Sequence, residues 1–109
     1  LVGMQKATAL MMTAEPISSG NAEKMGMIYK VFPDDNFVEK SLELAVKMAK
    51  MPTKGLGLTK RLLNASYTNN LEEQLNMEDK CQIIAGNTKD FKEGVQAFLE
   101  KRKANFRGE

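Results

Sequence analysis

Apolar residues recur every three to four positions along most of the chain, and that period predicts helices. Gly3, Ala7, Leu10, Met11 and Ala14 keep it, so a first helix is expected to about Thr13, ending before Pro16. Pro16-Ile17 reads as extended; Ser18 or Ser19 then caps a short helix through Ala22 and Met25, with Gly26 just past its end. Met27 to Phe32 alternates and carries β-branched and aromatic residues, the pattern of a strand. Pro33 to Asn36 is a turn. Val38, Leu42, Ala45, Val46 and Ala49 form a helical stripe that stops at Met51-Pro52. Thr53 is placed to cap a helix carrying Leu56, Leu58, Leu62, Leu63 and Ala65. Asn69-Asn70 breaks it and caps another from Leu71 to about Ala85, closed by Gly86.

The tail is the densest stretch. Asn87 or Thr88 can cap a last helix, and Asp90 puts negative charge in its first turn. Phe91, Val95, Phe98 and Leu99 share one face, while Lys92, Glu93, Gln96, Glu100 and Lys103 take the other. Lys101, Arg102, Lys103 and Arg107 follow, with Phe106 among them. Two readings stay open: cations relieving the negative end of the helix dipole beside a Phe that packs the tail down, or an anion site in which Lys101 meets a phosphate and a ring stacks on a base.

Charge and composition narrow the chemistry. A net charge of +2 is too small to imply nucleic acid as a partner, and Glu93, Glu100 and Glu109 interrupt the basic tail. No apolar run approaches the ~20 residues that span a membrane. The chain opens Leu1-Val2-Gly3 without a charged-then-apolar leader, so no targeting segment is expected. Cys81 is alone and suits a reducing compartment such as the cytoplasm. The absence of histidine removes His-based triads and the commonest metal ligand, and no metal is expected. Gly55-Leu56-Gly57 with Lys60-Arg61 resembles half a phosphate loop but follows no strand; the simpler reading is close helix approach at the glycines. Gln74, Glu78 and Gln82 form a polar stripe within the arc of Leu71, Leu75, Met77, Cys81 and Ile84. Glu78 could be a general base, but it has no partner His, Cys or second acid nearby and reads better as a satisfied interface carboxylate. Glu15 beside Pro16 has no better claim. The methionines suit adaptable packing.

Glu93 to Phe106, E-G-V-Q-A-F-L-E-K-R-K-A-N-F, resembles the C-terminal signature of the enoyl-CoA hydratase/isomerase (crotonase) family. Ala7 to Val31 resembles that family's helix, turn and strand, and Pro52 to Ala65 the helix that follows. G-L-G-L-T-K, L-N-A, T-N-N-L-E-E-Q-L and Q-I-I-A-G look most like the phenylacetate-degradation branch, the ring-epoxide acyl-CoA isomerases.

The resemblance implies a mainly α chain with one or two short strands: the helical oligomerisation part of a crotonase-like α/β fold, with its spiral β core mostly absent. Residues 1-35 would end that core and residues 36-109 would form the C-terminal helical region. The expected partners are an acyl-CoA substrate, from fatty acid or phenylacetate metabolism, and other copies of the chain in a trimer or tight dimer. No separate cofactor is implied. In the family the last helix reaches the adenosine end of coenzyme A on a neighbouring subunit, which places those roles on Phe98 and Lys101. The family's oxyanion-hole amides and acid/base carboxylate match nothing here, so no catalytic residue is assigned and these residues alone are expected to be inactive. The alternative is a free-standing helical self-association module without catalysis.

Overall fold

The computed structural model describes residues 1–109. It divides into two compact units, Leu1–Ser41 and Leu42–Glu109.

In the first unit, α1 (Met4–Thr13) ends at Ala14, whose φ of 50° is left-handed and whose N–H donates to the Leu10 carbonyl. The Ser18 hydroxyl accepts from the Asn21 N–H and starts α2 (Ser19–Lys24). Gly26, at φ 76°, takes the chain out of it. That conformation strains any residue with a Cβ, which is why glycine ends the helix. Asp34–Asn36 form one 3₁₀ turn, and α3 (Phe37–Ala49) begins there and continues into the second unit.

The helical expectation holds, but the strand does not form: Met27–Tyr29 bends and Lys30–Phe32 runs on without regular structure. Its alternation survives locally, with the Lys30 ammonium 5.3 Å from the Phe32 ring centre two residues on. A strand needs a second strand to satisfy its N–H and C=O groups, and these 109 residues contain none. Val31 instead donates its N–H to the Glu23 carboxylate at 3.3 Å.

The second unit is built on three helices, with α4 (Thr53–Ala65) packed on α5 (Leu71–Gly86) and α5 on α6 (Lys89–Leu99). α4 starts at Thr53 with Pro52 at the N-cap, so the expected Thr53 cap is not made. α5 opens with a complete capping box: Asn70 Oδ1 accepts from the Glu73 N–H and the Glu73 carboxylate accepts from the Asn70 N–H, both at 2.9 Å.

Little of this is buried. The apolar core consists of Ala22, Cys81 and Ala97. The chain exposes 9103 Å², where a folded monomer of 12.2 kDa is expected to expose about 6,000 Å². The open surface includes the helical stripes themselves: Val38, Leu42 and Val46 on α3, Leu71, Leu75, Ile83 and Ile84 on α5, and Phe91, Val95, Phe98 and Leu99 on α6.

Candidate functional site

The chain's polar interactions concentrate where the tail returns to α6. Thr88 caps that helix, its hydroxyl accepting from the Phe91 N–H at 3.0 Å while donating to the Ala85 carbonyl at 2.6 Å. Asp90, two residues into the helix and 3 % exposed, accepts from the backbone N–H of Arg107 at 2.7 Å and of Gly108 at 2.8 Å. Its own N–H donates to the Glu109 carbonyl at 2.9 Å. The carboxylate expected to complement the helix dipole thus also holds the tail.

A second clamp lies one turn further along α6. Arg102 donates to both Glu93 oxygens, at 2.6 and 2.9 Å, and to Glu100 at 2.5 Å, and Glu93 also accepts from the Asn105 N–H at 2.8 Å. The Arg102 fork and then the Asn105 amide hold the Glu93 carboxyl down at about 2. Gln96 and then Arg102 lower Glu100, Lys89 lowers Glu109, and Glu93 and then Glu100 raise Arg102. Glu93 is depressed from 4.5, so its contribution to stability is present above pH 4.5 and is lost as pH falls through about 2. We expect the Asn105 amide shift in an NMR acid titration to turn near pH 2. A midpoint at 4.5 would mean the fork is not held in solution.

Beside these clamps runs an apolar groove of about 440 Å³. Pro52 before α4, Gly55 of α4, Ala85 of α5, Phe91, Val95, Phe98 and Leu99 of α6, and Phe106 of the tail contribute to its lining. Phe106 lies against Gly94, where an added Cβ would be 3.5 Å from the ring. Phe98 therefore lines a groove and is 83 % exposed. Lys101 is not part of that lining; it sits just past α6 at φ 54°, its N–H donating to the Phe98 carbonyl at 3.2 Å. The two residues are three positions apart on the chain, but only the ring is in the groove.

The other candidates resolve more simply. Gly55 and Gly57 are helical positions in α4 rather than a phosphate loop, and nothing lies within 4 Å of a Cβ added at either. No close helix approach uses them within this chain. Glu78 accepts from Gln74 at 3.0 Å; Gln74 in turn donates to the Leu62 carbonyl at 3.3 Å and accepts from Asn69 at 3.0 Å. Gln74 thus links Glu78 on α5 to the Leu62 carbonyl on α4. Phe106 packs the tail down, as one of the two readings of the tail had it, whereas the hold of Asp90 on the tail is what the pattern missed, because it joins residues 17 and 18 positions apart. No helix is long and apolar enough to cross a membrane.

The chain is similar to known proteins in sequence and in fold. The 1,2-epoxyphenylacetyl-CoA isomerase of Escherichia coli K12 is 38% identical over 108 residues, covering 99% of this chain and 41% of its own length. A probable enoyl-CoA hydratase of Bacillus subtilis is also 38% identical, over 99% of this chain and 42% of its own. The crystal structure of an enoyl-CoA hydratase from Bacillus anthracis superposes with a TM-score of 0.89 at 33% identity, over 100% of this chain and 42% of that one. The chain thus spans about two fifths of the length of the relatives it matches. The sequence model of the enoyl-CoA hydratase/isomerase family matches residues 1–109, and with the tail signature, the helical arrangement and these relatives in agreement, the chain belongs to that family.

Proposed function

We propose that these residues form the C-terminal helical region of an acyl-CoA hydratase or isomerase, supplying subunit contacts and part of the coenzyme A site. The reaction would be hydration or isomerisation of a double bond through a thioester enolate held in an oxyanion hole that lies outside these 109 residues. The observation that carries this is the direction of α6. Its buried positions are Asp90 and Ala97, whereas its apolar stripe of Phe91, Val95, Phe98 and Leu99 is left open. An amphipathic helix buries its apolar face, so this one is made to be covered from outside the chain. Phe98 supports the coenzyme A part of the reading, as an exposed ring in an apolar groove. Lys101 would meet a phosphate from the neighbouring positive end of the tail.

Covering each large apolar side chain stabilises by about 1.5–3 kcal/mol, so a few such residues suffice to drive association. The test is sedimentation of the chain at micromolar concentration. We expect a trimer or tight dimer, and a monodisperse monomer would overturn the subunit-contact role. The similarity to a 1,2-epoxyphenylacetyl-CoA isomerase favours an aryl-acetyl thioester as substrate, from phenylacetate metabolism.

A further inference from the structure

The tail is held by more than chain continuity. Asp90 receives two consecutive backbone amides, those of Arg107 and Gly108, and returns its own N–H to Glu109. Glu93 takes the Asn105 amide, and Lys89 meets the Glu109 carboxylate at 2.9 Å. Gly108 adopts φ 79°, and a Cβ there would run into the Thr53 hydroxyl, so the tail's close approach to α4 requires glycine. Between the anchors at 105 and at 107–108 sits Phe106, its ring against Gly94 and in the lining of the groove that holds Phe98. Asp90 itself is nearly fully buried and both bonds are part-buried, so losing one of its acceptor oxygens would leave a part-buried amide without its partner.

We infer that residues 103–109 are a latched strap, with Asp90 as the positioning residue that holds the strap's backbone and thereby sets Phe106 as a wall of the Phe98 groove. For its ligand, the adenosine end of a coenzyme A thioester, the inference rests on the function proposed above; the latch itself stands on the geometry alone. Asp90 does not touch the ligand and acts only through where Phe106 sits. The strap carries a tryptic site at Arg107, which the latch shields, whereas Lys60 and Arg61 on α4 lie outside it.

The test compares the wild-type chain with Asp90→Asn, Gly108→Ala and Phe106→Ala. In limited trypsinolysis read by mass spectrometry, Asp90→Asn and Gly108→Ala should each raise cleavage after Arg107 at least tenfold, with cleavage at Lys60 and Arg61 unchanged. Gly108→Ala loosens the strap from its far end, so it decides the matter if Asp90→Asn fails to fold. Unchanged cleavage after Arg107 in a folded variant would overturn the latch. Titration with coenzyme A then reads positioning: Asp90→Asn and Phe106→Ala should each weaken binding several-fold, and the double variant no more than Phe106→Ala alone. Additive losses, or no loss in Asp90→Asn, would overturn the positioning role. Absence of coenzyme A binding by the wild-type chain would count against the proposed function, while the tryptic comparison would still decide the latch.

Discussion

A polypeptide of these 109 residues alone is expected to hydrate or isomerise an enoyl-CoA thioester no faster than buffer. Stabilising a thioester enolate requires preorganised donors aimed at the developing oxyanion, and removing one such donor costs about 10²–10³ in rate. A positioned acid/base contributes a further ~10²–10⁴. The acids best placed for work in the chain are already committed: Glu93 and Glu100 to Arg102, Asp90 to the tail backbone, and Glu78 to Gln74. The proposed function puts donors and base both outside these residues, and the deficit expected on that reading is at least about 10⁴-fold. Loss of thioester absorbance in a spectrophotometric assay measures it directly. Turnover by the purified 109-residue polypeptide, unaffected by further purification, would contradict the account.

Ala97→Leu is expected to destabilise the chain by about 1–3 kcal/mol, the usual cost of forcing extra methylenes into a filled site. Ala97 is 2 % exposed, and its carbonyl accepts from the Arg102 N–H at 3.0 Å, so added bulk strains a filled site at the start of the tail. Small domains have few such kilocalories to spare. Phe98→Ala is the control: its side chain is open in the chain, and truncation should change stability by no more than about 0.5 kcal/mol. Urea unfolding of the two variants checks the pair. Equal losses would mean that the apolar stripe of α6 packs within the chain after all.

The helices were legible because their signals are local. Ser18, Asn70 and Thr88 each cap a helix with a side-chain oxygen, and Gly26 follows a helix end where φ turns positive. The strand over Met27–Phe32 was misread because alternation reports a strand's faces and not whether a partner exists to pair with it. The groove was half legible. Phe98 could be placed on the apolar face of the last helix, but period alone does not say whether that face meets the chain's own core or something beyond it. The answer lies in Ala97 and Asp90, small and charged positions that carry no hydrophobic signal. The Asp90 clasp was hidden for a different reason: it is a contact between a side chain and distant backbone N–H groups, which every non-proline residue offers equally.

These residues are proposed as the helical region of a larger acyl-CoA enzyme, and the intact mass of the polypeptide in its source cells is the direct test. Because the chain's 12.2 kDa matches 41% of its relative from E. coli, the account predicts a mass more than double that value. A native mass near 12.2 kDa would contradict it and leave a helical self-association module, with assembly rather than catalysis as its role.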